Sequence, residues 1–338
     1  NELKTYYIKR LRKYLTEKVG SEDIKEARNQ LTKRDLSEVT IIEFWEEQIE
    51  VITRAGKHGG ARVHKTSLSV LSQEIDLGKA FNSFSYKDLL KLESNLYKRG
   101  LSINGMGVYL RSFRSICNLA IKLDLVDYSW YPFRKYTIKK EKTTPRVLSQ
   151  SELKHYFKLS LTSNHPLFRS WQLGKLIFML RGINITDLLL LSADNIKEDR
   201  IIYKRAKTGK IYSIQMVDEV ANILASLTSN ETLAGVLDNQ EFSNKTKQVS
   251  VIAMRRKVVN NHLKQIGKLI DSNEPITSYV FRYSYSNIAK RLGYSKDLIA
   301  EALGHEYGNA VTGIYLEQFD LKVVDEMNAT IIRKVWGG

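Results

Sequence analysis

The stretch of sequence that decides the fold lies near the C-terminal end of the chain. It reads Tyr279-Val280-Phe281-Arg282-Tyr283-Ser284, then Leu303-Gly304-His305, then Thr312-Gly313-Ile314-Tyr315. It contains an always-charged guanidinium, an imidazole and a phenol. A phenol is a poor nucleophile at its ordinary pKa of about 10. Beside guanidinium groups it ionises more easily and can attack phosphorus, while arginine and histidine hold the phosphate oxygens that gain charge.

The spacing of these groups places them on helices. Tyr279 and Arg282 lie three residues apart, which puts them on one face of a helix. The segment from Asp297 to Leu303 predicts the next helix, and Gly304 is typical of its C-terminal cap. We therefore expect His305 just beyond a helix C-terminus.

These motifs resemble the C-terminal signature of the tyrosine recombinase (phage integrase) family, in which HxxR precedes LGH and a nucleophilic tyrosine. Arg282-x-Ser284, Leu303-Gly304-His305 and Ile314-Tyr315 carry the likeness, which is most similar to integrases and invertases of Bacteroides-type mobile elements. The resemblance extends from about residue 40 to about residue 320. It implies a mainly α fold, with a helical, SAM-like core-binding domain. The implied catalytic domain is mixed α/β and mostly helical, with a small β-hairpin or sheet.

Composition favours a polyanionic partner. Among 338 residues, 53 Lys and Arg stand against 37 Asp and Glu, which gives a formal net charge of +16. Nucleic acid is the commonest partner of such a chain. The sequence has no apolar run of about 18 residues, which argues against a membrane partner. The lone Cys117 excludes internal disulfides, and we read it as a small buried residue of a cytoplasmic, nucleoid-associated bacterial protein.

Four segments are expected along the chain. Residues 1–37 form a charged helical segment, either the remnant of an arm-binding domain or a solvated helix, and a first residue other than Met is compatible with truncation. Residues 38–130 carry amphipathic helices and predict a helical DNA-binding domain. Residues 131–146 form a basic interdomain linker. Residues 147–338 form the catalytic domain, whose last helix, Leu321 to Trp336, packs either on its own domain or on a neighbouring protomer.

Apolar spacing predicts the individual helices. Ser149 and Glu152 form a capping box at the start of the second domain. Residues 217–271 are predicted to be helical, with a polar loop at about 239–248. The other predicted helices begin at about Thr40 and run over Ala61–Leu77, Ser85–Arg99, Ser102–Leu123 and Trp171–Leu180.

Two positions compete for the first arginine of the family's active site. Arg181-Gly182-Ile183-Asn184 stands where most family members have a Gly-Leu-Arg-Ile motif, and on that register Asn184 occupies the arginine position. The Bacteroides-type branch shows the Arg-Gly arrangement, so the resemblance assigns the role to Arg181. The structural alternative for Arg181 is a salt bridge, with Asp187 as a partner.

The segment from Arg200 to Ile214 predicts two β-strands around a Lys-Thr-Gly-Lys turn. The family places a catalytic lysine on such a hairpin, and Lys207 matches it. Lys204, Arg205 and Lys210 are the competing positions.

The resemblance implies that DNA strands are cut and rejoined through a 3′-phosphotyrosine. Tyr315 is then the nucleophile, Arg181 and Arg282 hold the non-bridging oxygens, and His305 donates to the same phosphate. Lys207 is the general acid for the leaving 5′-oxygen.

Tyr279 stands where the family usually has histidine. It is able to donate a hydrogen bond at neutral pH, and core packing is the alternative interpretation. No cofactor is expected, because the sequence has neither a carboxylate cluster of the two-metal kind nor a GxxxxGK[ST] phosphate loop.

The expected partner is double-stranded DNA. The family implies a homotetramer on DNA, a monomer or weak oligomer when free, and accessory DNA-bending or excision proteins. The rival functions are a type IB topoisomerase-like relaxing enzyme and a catalytically inactive DNA-binding protein. The basic residues expected to contact phosphates are Arg54, Lys57, Arg62, Lys65, Arg111, Arg114, Arg134, Lys135, Lys139 and Lys140.

Overall fold

The computed structural model describes residues 39–227, 232–243, 245–305 and 319–336. The chain divides into two compact units, with the division between Thr143 and Thr144, inside the predicted linker. The predicted N-terminal segment 1–37 lies outside the described residues. None of the helices in the described ranges is long and apolar enough to cross a membrane.

The described part of the first unit consists of four α-helices and two short 3-10 turns. The helices differ from their predicted bounds by a few residues at the ends, where helix limits are least well defined. Their bounds are α1 Ile41–Arg54, α2 His58–Glu74, α3 Tyr86–Lys98 and α4 Ile103–Lys122, and the turns are Phe81–Ser83 and Tyr128–Trp130.

An aromatic core holds the first unit together. Trp45 stacks on Phe113 with 5.7 Å between ring centroids, which joins α1 to α4. Cys117 is fully buried in the same core, so the interpretation of this residue as a small buried side chain is confirmed. Phe133 and Tyr136 are also buried there, so the first part of the predicted linker packs on the first unit.

The second unit is mostly helical, with one small antiparallel sheet whose strands lie in the order β1 (Ile196–Lys197), β2 (Arg200–Lys204) and β3 (Ile211–Gln215). The predicted hairpin is confirmed as β2 and β3, which pair with Tyr203 opposite Tyr212. Its helices and strands are α5 Gln150–Lys158, α6 Phe168–Met179, α7 Ile185–Leu190, β1 Ile196–Lys197, β2 Arg200–Lys204, β3 Ile211–Gln215, α8 Asp218–Leu227, α9 Asn239–Ser243, α10 Lys245–Leu269, α11 Ser278–Arg291, α12 Lys296–Leu303 and α13 Leu321–Trp336.

Local capping explains one correct and one incorrect prediction in this unit. The predicted capping box of Ser149 and Glu152 begins α5. The polar loop predicted at 239–248 is wrong, because α9 and the start of α10 occupy it. The backbone N–H of Glu241 donates to the carboxylate of Asp238 at 2.7 Å, and the N–H of Asp238 donates to Glu241 at 3.2 Å. This pair satisfies the first helical donors, so a short helix forms in a mostly polar segment, with Phe242 packed against the core.

Helix α6 is the centre of the second unit. Every residue from Ser170 to Met179 is buried, including the polar Gln172 and Lys175, so this helix has no exposed face over that range. Gly174 lets α11 approach closely, because a Cβ atom there would overlap the Tyr156 hydroxyl and lie 2.9 Å from the Phe281 ring. The helix that carries Arg282 is therefore fixed against the core.

The last helix, α13, packs on its own unit. It buries an apolar stripe that includes Val324, Met327 and Ile331, and its Trp336 lies edge-on to Phe157 with 5.3 Å between ring centroids. Of the two arrangements that the sequence left open for this helix, the structure has the one within the same chain.

Asp325 fastens α13 to the rest of the unit. Its carboxylate accepts a hydrogen bond from the guanidinium of Arg181 and another from Arg200 at 2.8 Å, and both Arg181 and Asp325 are buried. The backbone N–H of Gln215 also donates to this carboxylate at 3.3 Å. Three separate segments of the chain thus converge on one carboxylate.

We predict that Asp325→Ala lowers the free energy of unfolding by about 3–5 kcal/mol, because it leaves the charge of Arg181 buried without its partner. Urea unfolding of the purified chain measures this change. The matched control is Glu326→Ala, which removes an exposed carboxylate from the next position of the same helix. Equal stability of the two variants would contradict the role assigned to Asp325.

Candidate active site

The guanidinium of Arg282 is buried and held in one orientation. Its Nη1 donates to the carbonyl oxygen of Gly182 at 2.5 Å, and its Nη2 donates to the carbonyl oxygen of Leu303 at 2.6 Å. Nη2 also lies 3.1 Å from Nε2 of His305. Two backbone carbonyls and one imidazole therefore fix the charge where two of the predicted catalytic side chains meet.

Glycine at position 182 is required for this arrangement. Its backbone has a φ of +67°, and a Cβ atom there would lie 2.8 Å from Cγ of Arg282. A larger residue would be strained in its backbone and would push Arg282 away. Glycine therefore follows Arg181 because Arg282 lies so close to the backbone of residue 182 that a side chain does not fit there.

His305 is positioned by the end of α12. Gly304 has the left-handed conformation of a C-terminal cap, and the backbone N–H groups of Gly304 and His305 donate to the carbonyls of Glu301 and Ala300, each at 2.8 Å. A Cβ atom on Gly304 would overlap the ring and hydroxyl of Tyr212. The Leu-Gly-His motif therefore serves two purposes, a helix end and a close contact with the hairpin.

The contact with Arg282 determines the protonation of His305. A guanidinium only donates hydrogen bonds, so Nε2 of His305 accepts and the ring proton sits on Nδ1. Burial lowers the pKa of His305, and the nearby charges of Arg282, Arg205 and Lys210 lower the pKa further. His305 is therefore neutral at neutral pH, and its Nδ1 is available as a hydrogen-bond donor without positive charge.

Lys207 is exposed at the tip of the hairpin between β2 and β3. The turn is closed by the N–H of Arg205 donating to the carbonyl of Lys210 and by the N–H of Gly209 donating to the carbonyl of Arg205, each at 2.9 Å. The ammonium group of Lys210 lies 3.2 Å from the carboxylate of Glu301. Lys210 is thus paired within the domain, whereas Lys207 extends from the turn towards solvent.

In the described residues, no hydrogen bond joins the guanidinium of Arg181 to Arg282 or to His305. The side chain of Arg181 is bonded to Asp325, not to Asp187, which the sequence had offered as its structural partner. Asn184 has a local role, because its side chain accepts a hydrogen bond from the N–H of Thr186 at 2.9 Å and caps α7.

Tyr279 lies on α11 with 48% of its surface exposed, so the core-packing interpretation of this residue is wrong. Its ring contacts that of Tyr283 at 5.5 Å between centroids, one turn along the helix. Tyr315 falls in the range 306–318, outside the described residues, and its role stays a prediction.

Most of the basic residues predicted to contact DNA are exposed, whereas Arg114 is half-buried. Arg54 lies 3.1 Å from Glu50 and Lys139 lies 3.0 Å from Glu93, and both are surface ion pairs of the weak kind. Arg134 donates to the carbonyl of Tyr128 at 2.8 Å. The contacts of these residues with DNA stay a prediction.

Arg205 joins the site, although the sequence had offered it only as a competitor of Lys207. Its side chain is 11% exposed, and its charge lowers the pKa of Arg282 and of His305. The alternation of buried and exposed residues along β2 could have predicted that Arg205 points inward. The buried residues Ile201 and Tyr203 alternate with Lys204, which is exposed, so position 205 falls on the inward face.

Comparison with known families identifies the chain. Residues 169–321 match the phage integrase family, and residues 40–138 match the phage integrase SAM-like domain. The chain therefore belongs to the phage integrase family, whose members are the tyrosine recombinases, and it is a site-specific recombinase. None of the curated protein sequences matches it.

Several solved structures share the fold. A lambda integrase dimer bound to a COC′ core site has a TM-score of 0.60 and 12% identity, over 80% of this chain and 96% of that chain. The Tn1549 transposon integrase in complex with transposon right end DNA has a TM-score of 0.56 and 15% identity, over 87% of this chain and 99% of that chain. A lambda integrase tetramer bound to a Holliday junction has a TM-score of 0.60 and 13% identity, over 84% and 80%.

We predict that Gly304→Ala lowers stability more than Gly293→Ala. Both glycines have positive φ, so each substitution carries a backbone strain of about 1–2 kcal/mol. Only the Cβ atom at 304 would overlap Tyr212, whereas nothing lies within 4 Å of the one at 293. Urea unfolding of both variants gives the difference, and similar losses for the two would show that the Tyr212 contact does not position the helix end.

Proposed function

We propose that this recombinase cuts and rejoins DNA through a covalent link between Tyr315 and the 3′-phosphate of the cut strand. The observation that carries the proposal is the fixed pair of Arg282 and His305, which lie 3.1 Å apart at the end of α12. Planar, charged donors of this kind bind the non-bridging oxygens of a phosphodiester. The family of the chain supports strand exchange over the topoisomerase-like alternative.

In the proposed reaction the phenol of Tyr315 loses its proton to solvent, which the nearby guanidinium groups favour, and its oxygen attacks phosphorus while the bond from phosphorus to the 5′-oxygen breaks. Lys207 gives the leaving oxygen a proton, and the reverse reaction rejoins the strand. Arg282 has five N–H donors, and its contacts with Gly182, Leu303 and His305 occupy three of them. The other two are suited to the phosphate, and Nδ1 of His305 carries one more donor. Tyr279, exposed on the same helix, is a further hydrogen-bond donor for the DNA backbone.

The partner and assembly follow from charge and from the structural neighbours. The net charge of +16 favours binding to double-stranded DNA and keeps free chains apart until DNA neutralises them. A lambda integrase of similar fold is seen as a dimer on a core site and as a tetramer on a Holliday junction. We extend this to a tetramer of the present chain on DNA, with accessory DNA-bending or excision proteins as further expected partners.

We predict that Tyr315→Phe binds DNA but forms no covalent complex, because only the nucleophilic oxygen is removed. The substrate is a nicked suicide duplex with the crossover site mapped from the junctions of the element that encodes the protein. A denaturing gel detects the adduct. Tyr307→Phe is the matched control and should form the adduct normally. Adduct formation by Tyr315→Phe would transfer the nucleophilic role to another tyrosine.

We predict that Lys207→Ala cleaves an ordinary duplex slowly and is restored by a 5′-phosphorothiolate at the scissile bond, because a thiolate leaves without a proton. The exposed neighbour Lys204→Ala should cleave both substrates as the wild type does. Rescue of Lys204→Ala in place of Lys207→Ala would move the general acid to position 204.

A further inference from the structure

We propose that Arg205 of the hairpin, and not Arg181, is the second guanidinium that holds the scissile phosphate in this recombinase. The inference rests on the proposed function, since it assigns a residue to the same site. It changes the source of the second positive charge from the turn before α7 to the end of strand β2.

One carbonyl oxygen links Arg205 to the established part of the site. The carbonyl of Leu303 accepts from Arg282 at 2.6 Å and from the hydroxyl of Tyr212 at 2.9 Å. The positive charge of Arg205 lowers the pKa of that same phenol, as the charge of Arg282 does, so both guanidiniums lie near Tyr212. The charge of Arg205 also lowers the pKa of His305, which places Arg205 beside the pair of Arg282 and His305.

Among the described residues, the charges around this point do not balance. Two guanidiniums there share one nearby carboxylate, that of Asp187, whose Oδ2 lies 3.9 Å from Nε of Arg205. That carboxylate is also engaged by the N–H of Ala206 at 3.0 Å. Burial and the charge of Arg205 together lower the pKa of Arg282. Clustered, partly desolvated positive charges of this kind are stabilised by an anion, and a phosphodiester is the anion that this family binds.

Arg181 is unsuited to the same task. Its guanidinium is 5% exposed and bonded to Asp325, which it shares with Arg200. Movement of Arg181 towards a phosphate would separate a buried ion pair, which costs several kcal/mol. Asn184, at the family's usual arginine position, caps α7 instead. In the proposal, Arg205 of the hairpin therefore supplies the positive charge that neither Arg181 nor Asn184 brings to the phosphate.

The chemical role of Arg205 is donation without proton transfer. Its N–H groups bind a non-bridging oxygen, whose negative charge grows as the phenolic oxygen of the tyrosine adds to phosphorus. Removal of one such donor lowers the rate of the chemical step by about 10²–10³-fold in other enzymes. DNA binding, which depends on many phosphate contacts, should change little.

The first test compares a normal scissile phosphate with a methylphosphonate, in which one charged oxygen is replaced by a methyl group. Arg205→Ala should cleave the normal duplex about 10²-fold more slowly than the wild type. On the methylphosphonate this deficit should shrink to about tenfold or less, because less charge remains to be stabilised. Lys197→Ala removes an exposed charge from strand β1 and should match the wild type on both substrates.

Arg181→Gln serves as the comparison. It should melt at a lower temperature than the wild type, and the methylphosphonate should not restore whatever cleavage it loses. Methylphosphonate rescue of Arg181→Gln but not of Arg205→Ala would overturn the proposal. So would cleavage of the normal duplex by folded Arg205→Ala at the wild-type rate. If Arg205→Ala fails to fold, Arg205→Gln is used in the same way.

The second test needs no DNA and therefore separates this proposal from the proposed function. NMR titration of ring-labelled His305 in the free protein should show its pKa rising in Arg205→Gln, because one neighbouring positive charge is lost. Arg181→Gln should leave that pKa unchanged. An unchanged pKa in Arg205→Gln would place Arg205 outside the site. Failure of the proposed function would appear instead as covalent adduct formed by Tyr315→Phe.

Discussion

The carbonyl oxygen of Leu303 is the point on which the candidate site depends. It lies at the C-terminus of α12, where the helix dipole concentrates negative charge and favours a cation. Arg282 from α11 and the Tyr212 hydroxyl from β3 both donate to it. One backbone atom therefore joins two helices and the sheet, and it does so through the donors that orient the site. Gly304 is the residue that keeps this oxygen accessible, since any side chain there would displace Tyr212.

Two buried arginines, Arg181 and Arg282, have partners of different kinds. Arg181 is bonded directly to a carboxylate, that of Asp325, which also accepts from Arg200 and from the backbone N–H of Gln215. Arg282 meets carbonyl oxygens and a neutral imidazole, which are dipoles without net charge. The first arrangement fastens the last helix to the sheet. The second leaves positive charge that is able to attract an anion, and the proposal that Arg282 holds the phosphate whereas Arg181 is structural rests on this difference.

Local patterns in the sequence predicted the parts of the fold that depend on near neighbours. The hairpin, the capping box of Ser149 and the last helix were all predicted, because strand alternation, helix caps and apolar stripes act over a few residues. Arg282 and His305 were predicted to meet through a family resemblance, not through spacing. The partner of Arg181 was not predicted, because Asp325 lies 144 residues away and no local pattern links them.

In segment 239–248 the sequence-based prediction failed because a local contact was missed. The hydrophilic residues favoured a loop, yet the reciprocal hydrogen bonds of Asp238 and Glu241 begin a short helix there. Arg205 is intermediate between these cases. Alternation along β2 predicts its inward direction, but only the packing of the hairpin on the end of α12 shows what it points at.

The neutral state of His305 follows from the same excess of charge. Because its pKa in the folded chain lies below that of an exposed histidine, protonation favours the unfolded chain. The site therefore adds no cost above the unfolded pKa and destabilises the fold as pH falls below it. A bound phosphodiester opposes this effect, since its negative charge offsets that of the two arginines beside the imidazole. In the proposed complex, the phosphate of the DNA balances the positive charge that slightly destabilises the free protein. The donors then need not rearrange for the reaction to begin.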